Sequence, residues 1–236
     1  LEVATRLLYR LRKKDGLAEI IPELDMEVVD FKPVLNPICV KYTPGKGVEE
    51  TACDWFKQQG DEAYYVENSL LPGLFGLAFW DIIFAPIKGV FFNPFQRGPS
   101  DMFSPAFCQT RKELIAARLL ALQDQEYLSN LILDHFEKKL LLANHFVNWS
   151  KLSRELIERF LTAISNDALL SVFKRLLVDP GSNRSGFPDL VIFHQDGFKL
   201  VEVKGPGDRL QENQRRWLHH FSKIGIPAEV AHFSWK

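Results

Sequence analysis

Cysteine is scarce in this chain. Cys39, Cys53 and Cys108 are three among 236 residues, an odd number with no CxxC spacing. No Cys/His pair has the spacing of a zinc site, so neither a disulfide framework nor structural zinc organises the fold, and reduced thiols of an intracellular protein are expected. Long apolar runs are missing as well. The nearest, Leu70 to Phe84, is interrupted by Pro72, Gly73, Gly76 and Asp81. It falls short of the ~18 residues that span a bilayer, reads as buried helix, and leaves no membrane among the expected partners. An excess of charge of either sign is also lacking, with 29 Lys and Arg against 30 Asp and Glu for a net charge of −1. Taken alone, that balance argues against nucleic acid. There is no basic-then-apolar leader and no repeat of fixed period. The first residue is Leu, already inside a helical pattern, so the chain is expected to be part of a longer protein.

What is present is bulk and local charge. Apolar residues make up 46% of the chain, and nineteen Phe and five Trp supply a substantial core. Basic residues crowd the last third, where Lys174, Arg175, Arg184, Arg209, Arg215 and Arg216 fall. A balanced total therefore conceals a basic face. The six histidines are scattered, and the pair His219–His220, on a charged helix, reads as solvated.

Hydrophobic spacing predicts helices over 1–14, Val48–Gln59, Glu67–Phe84, Arg111–Gln123, Gln125–Leu142, Leu152–Leu177 and about Arg209–Lys223. Residues 17–47 read as loop with a short strand at Ile38–Tyr42. After Asp179-Pro180-Gly181 the pattern becomes strand-like over Asp189–His194 and Phe198–Lys204. Between them lies Asp196-Gly197, a strong hairpin signal. A final strand is expected at Ala228–Phe233.

With Asp196-Gly197 as the turn, Gln195 faces Phe198 and Asp189 faces Lys204. Directly opposed side chains share a face with Cβ atoms roughly 5 Å apart, and Glu202 lies diagonal to Asp189 at roughly 7–8 Å. Two carboxylates and a lysine thus point to one spot on otherwise apolar strands. Burying them costs desolvation energy unless they pair or hold a cation. A structural Asp189–Lys204 ion pair is the plain alternative, but it leaves the second carboxylate unexplained. Hard oxygen ligands suit Mg²⁺ or Mn²⁺, and a lysine beside them can position water and offset transition-state charge.

Pro188-Asp189…Glu202-Val203-Lys204 resembles the PD-(D/E)xK nuclease signature in its virus-type replication-repair (VRR-NUC) form. The run Gly205-Pro206-Gly207-Asp208-Arg209-Leu210…Gln214…Trp217 extends the likeness. Glu67-Asn68-Ser69, Phe79-Trp80-Asp81-Ile82-Ile83-Phe84 and Thr110-Arg111-Lys112…Ala117-Arg118-Leu119 are similar to the Fanconi-associated nucleases in particular, over about residues 46–236. The resemblance implies an α/β, restriction-endonuclease-like αβββαβ core. A helical insertion would occupy about 86–180 and a catalytic hairpin 186–204. Residues 1–45 would be the end of an upstream helical-repeat (TPR-like) region and a linker.

It also implies a 5′-flap endonuclease and 5′-to-3′ exonuclease of interstrand crosslink repair that uses Mg²⁺ or Mn²⁺, with two ions. Glu67, Asp189, Glu202 and the carbonyl of Val203 would be metal ligands, and Lys204 the catalytic lysine. Arg184, Arg209 and Gln214 would lie at the DNA. The partners would be flapped, branched or crosslinked DNA and an upstream DNA-binding region of the same protein. Compact spacing points to a bacterial member, cytoplasmic and nucleoid-associated, whereas a eukaryotic member would be nuclear. On the residues alone, Glu67 also fits a carboxylate favoured at a helix start, with Glu49 and Glu50 as competitors for its role. Gln214 points either to the site, to phosphate, or to solvent. A junction resolvase or restriction-type enzyme of the same fold would share the triad, while a catalytically silent DNA-binding scaffold would be expected to lack one of its members.

Overall fold

A computed structural model describes residues 32–41, 44–195 and 197–236. The helix expected over 1–14 lies outside them. Five strands form one mixed sheet: β1 (Leu35–Val40), β2 (Glu62–Tyr65), β3 (Leu190–His194), β4 (Gly197–Lys204) and β5 (Ala228–Trp235), in the order β1-β5-β4-β3-β2. β5 runs parallel to both β1 and β4, and β3 is antiparallel to β2 and β4. With α1 (Val48–Gln58) before β2 and α10 (Glu212–Lys223) between β4 and β5, the αβββαβ core is present. β1 extends its sheet, so the sheet begins before residue 46.

The two faces of the sheet bury different layers. Leu190, Ile192, Val201 and Val203 point toward α1 and its Ala52, Cys53 and Phe56. Val191, Phe193, Phe198 and Leu200 point the other way, onto the helical layer and onto Trp217 and Phe221 of α10. This is the period-two alternation of a sheet covered on both sides.

The helical layer contains α2 (Leu70–Ala78), α3 (Trp80–Ile83), α4 (Ala106–Thr110), α5 (Lys112–Ala121), α6 (Gln125–Lys138), α7 (Arg154–Ala163), α8 (Asn166–Val178) and α9 (Pro180–Asn183). Every residue of α2 is buried, and Pro72 falls in its first turn, where a missing N–H costs no intrahelical bond. Gly76 allows a close approach, since a Cβ there would sit 2.9 Å from Phe146 Cβ and 2.8 Å from the Val147 side chain. The helix expected over Leu152–Leu177 is two helices, because Ser165 caps α8 by accepting from the Ala168 N–H. Likewise the run expected from Glu67 begins only at Leu70 and breaks at Phe79. Among the described residues no helix is long and apolar enough to cross a membrane. None of the three cysteines is in a disulfide; Cys53 and Cys108 are buried and Cys39 is exposed.

Candidate active site

The hairpin keeps a two-residue turn, but its register is shifted by two residues from the one the sequence suggests. His194 pairs with Gly197 and Leu190 with Val201, so Gly197 opens β4 with φ of +139° rather than closing the turn. A one-residue slip would exchange the faces, whereas a two-residue slip keeps each side chain on its own face. The apolar pattern therefore accommodates both registers, and the chain adopts the one that sets Phe193 opposite Phe198. Continued one step, that register places Asp189 opposite Glu202 instead of Lys204. The carboxylates become direct neighbours.

All three charged groups are withdrawn from solvent: Asp189 is 7%, Glu202 1% and Lys204 8% exposed. Lys204 Nζ lies 2.7 Å from Glu202 Oε1, and the Gln214 amide donates to the same oxygen at 2.6 Å. The ion pair that forms is Lys204–Glu202, not the Asp189–Lys204 pair of the plain structural alternative. Asp189 Oδ2 accepts the Val203 N–H at 2.8 Å. Its own carbonyl accepts from Val66 N at 2.8 Å, tying β2 to the motif. Burial, first, and then the charge of Asp189 push the Glu202 carboxyl well above its usual range. Burial, with Glu67 and Glu49 adding to it, also raises Asp189 against the opposing Val203 N–H and Lys204. One lysine does not offset two buried carboxylates.

The mouth of the motif is set by close approaches. Asn68 Oδ1 accepts from Gly186 N at 2.8 Å and Phe187 N at 3.1 Å. Gly186 has φ of +93°, and a Cβ there would stand 2.7 Å from the Asn213 backbone, so only glycine fits. Gln214 Oε1 accepts from the Gln211 N–H at 2.9 Å while its amide nitrogen reaches Glu202. Of the alternatives open for Gln214, the side chain is turned to the site and joins the start of α10 to Glu202.

Glu67 is not drawn into the cluster. It is exposed in the β2–α2 turn, three residues before the helix it was expected to open. The Tyr65 hydroxyl and the Asn68 amide bond its carboxylate. Its charge nevertheless raises both buried carboxyls. Among the described residues no three His, Cys, Asp or Glu side chains form a group that could hold a metal ion. The donor chemistry still suits a hard divalent cation. Each carboxylate has one oxygen engaged, Asp189 Oδ2 by Val203 and Glu202 Oε1 by Lys204 and Gln214, and the remaining two belong to carboxyls short of positive charge.

Arg184 is exposed with its guanidinium 4.4 Å above the Phe103 ring, and Arg209 is exposed in the turn before α10. One residue was misjudged in the sequence. His220 is 5% exposed, not solvated, and burial beside Arg175 pushes its pKa down to about 3. Its position on the apolar stripe with Trp217 and Phe221 was the available signal.

The VRR-NUC domain family matches residues 123–235, a span containing the hairpin, Gln214 and α10. The chain belongs to the Fanconi-associated nuclease family through this VRR-NUC domain. The Fanconi-associated nuclease 1 homolog of Pseudomonas aeruginosa is 39% identical over 236 residues, 98% of this chain and 41% of the relative. The human Fanconi-associated nuclease 1 is 33% identical over 192 residues, 78% of this chain and 19% of the relative. A crystal structure of paFAN1 bound to 2-nt 5′-flap DNA with gap superposes with a TM-score of 0.83 at 37% identity, covering 98% of this chain and 42% of that one. The chain therefore spans about two fifths of the length of its bacterial relative. The VRR-NUC sheet, with its insertion of helices, is the fold of that structure.

Proposed function

We propose that the chain is the nuclease part of a metal-dependent, structure-selective DNA nuclease. It would cut at 5′ flaps, trim 5′ to 3′, and serve interstrand crosslink repair. The observation that carries this reading is the buried Asp189–Glu202 pair beside Lys204, on a hairpin lying inside the VRR-NUC match. The flap preference is taken from the relatives, among them the structure described as bound to 5′-flap DNA. In a longer protein, a DNA-gripping region elsewhere in the chain would complete recognition.

Asp189, Glu202 and the Val203 carbonyl would hold Mg²⁺ or Mn²⁺ as one or two ions, with Glu67 joining once its carboxylate leaves Tyr65. Such an ion, when bound, polarises a phosphoryl oxygen and makes a bound water acidic. Lys204, fixed by Glu202, orients the attacking water and offsets charge that develops on the phosphorus oxygens. Gln214 keeps Glu202 turned into the site. Arg184 and Arg209, both exposed beside the motif, offer charge to backbone phosphates, which position DNA without reading its sequence.

The test is cleavage of 5′-flap, four-way-junction and plain duplex DNA. Flap cutting should dominate, stop on chelation and return with Mg²⁺ or Mn²⁺. Asp189→Ala should lower it by roughly three orders of magnitude, the scale of losing a preorganised transition-state group. Preference for the junction would make the protein a resolvase-type enzyme, and full activity in excess chelator would defeat the metal mechanism.

A further inference from the structure

Between α3 and α4 the chain presents two phenylalanines to solvent, Phe95 at 86% and Phe92 at 73% exposure. They stand on a built loop. Gln96 is its hub, accepting from the backbone N–H groups of Phe92 and Asn93 and donating to the carbonyls of Val90 and Gly98 at 3.2 and 3.3 Å. Asn93 accepts from Phe95 N at 2.9 Å, and Phe91 stacks on Phe84. The far end is pinned to the helical layer, where Arg97 donates to the Asn144 carbonyl at 3.1 Å and accepts from His145 N at 3.0 Å. A single exposed apolar side chain is ordinary. Two aromatic rings displayed three residues apart on a hydrogen-bonded scaffold form a surface.

Its charge is of one sign. From Ile82 to Ser100 the sequence contains no carboxylate, while Lys88 and Arg97 are exposed within it. The surface is also continuous with the site. The Phe103 ring lies 5.0 Å from the His145 ring and carries Arg184 at 4.4 Å on its other contact, and Arg184 precedes Asp189 by five residues. Arg97 and Arg184 both depress the His145 pKa, after burial, so the two guanidiniums act on one locality. Neither is paired with a carboxylate among the described residues.

We propose that residues 91–103 form a stacking platform for unpaired DNA bases, with Phe92 and Phe95 as the stacking rings and Arg97 and Arg184 as phosphate contacts leading to Asp189. This rests on the nuclease reading of the site and assigns the path of the unpaired strand. Rings that accept any base, interleaved with cations that take the backbone, are the chemistry of single-strand binding without sequence preference. A docking surface for an acidic protein segment would share the charge, and the test below separates the two.

The experiment measures affinity, in chelator so that no cutting occurs, for a 5′ flap with a several-nucleotide unpaired arm and for the same nicked duplex lacking the arm. A 2-aminopurine in the arm reports stacking by its quenching. Phe92→Ala/Phe95→Ala should weaken flap binding about ten-fold, the scale of losing a base–aromatic stack. It should abolish the quenching and leave the nicked duplex unchanged, and Phe95→Trp should retain both affinity and quenching. Unchanged flap binding by the double variant overturns the proposal, as does an equal loss on both substrates or a Trp variant that binds no better than Ala. Failure of the nuclease reading looks different, as wild-type protein that cuts no DNA with any divalent metal.

Discussion

Among the described residues two places bury charge, and they treat it in opposite ways. Arg111, in the helical layer, is 1% exposed. Its Nε donates to the Ile82 carbonyl at 3.1 Å, and Nη1 meets Asp101 at 2.9 Å, Thr110 at 2.8 Å and the Phe107 carbonyl at 3.3 Å. The guanidinium also lies 4.5 Å from the Phe107 ring; only Nη2 lacks a partner. The charge is matched by a carboxylate and spent on joining α3, α4 and the start of α5. On the sheet, Asp189 and Glu202 face one another, and the single lysine pairs with Glu202 alone. A buried charge that is partnered on most sides organises packing. A carboxylate pair offset by one lysine stays short of positive charge, and such perturbed groups cluster at functional sites.

The comparison breaks first at Arg111. Replacing it by Ala removes one partner of a buried ion pair and leaves Asp101 and the carbonyls without a donor, which costs about 3–5 kcal/mol. Arg111→Ala should therefore lose roughly that much stability by urea unfolding, while the protein that remains folded keeps its rate per molecule. A variant as stable as wild type, or one with intact stability and no activity, would put Arg111 in the same class as the carboxylates.

How much of this was legible in the residues depended on distance along the chain. The hairpin, its alternation and the gathering of Asp189, Glu202 and Lys204 on one face followed from period two and the Asp196-Gly197 signal. The register did not, because a slip of two residues leaves the pattern intact. β2 escaped notice because Glu62–Tyr65 is four residues long, too short for alternation to show. The hub role of Arg111 and the Gln214–Glu202 bond depend on contacts between segments that no local spacing encodes. Arg111 reaches Ile82 across 29 positions. Glu67 reads as a helix start that the chain delays by three residues, which leaves its carboxylate in the turn with Tyr65 and Asn68.

A smaller effect sharpens the contrast, at His220. Its ring faces Ser171, at 3.4 Å, with Arg175, His219 and Lys223 nearby. Folded, it titrates at about 3; unfolded, at about 6.5. Between these values the unfolded chain takes up a proton that the folded one refuses. Stability is therefore full above about pH 6.5 and falls as the pH drops toward 3, by at most about 1.4 kcal/mol per pH unit. Carboxyls raised by burial act in the opposite sense, gaining stability on acidification, but they are common to wild type and to His220→Leu. The melting temperature of wild type should thus fall more steeply from pH 7 to pH 5 than that of His220→Leu. Parallel curves would mean that the imidazole is protonated in place.

The central claim is that the Asp189–Glu202 pair is uncompensated until a divalent cation arrives. It is tested most directly by the melting temperature of wild type and Asp189→Asn, each in chelator and in Mn²⁺ or Mg²⁺ at a hundredfold excess over Kd. Metal should raise the wild-type value by roughly 5 °C or more. In chelator Asp189→Asn, relieved of one buried charge, should melt at or above wild type, and metal should leave it unmoved. A wild-type protein indifferent to metal, or a variant that gains as much as wild type, would contradict the account.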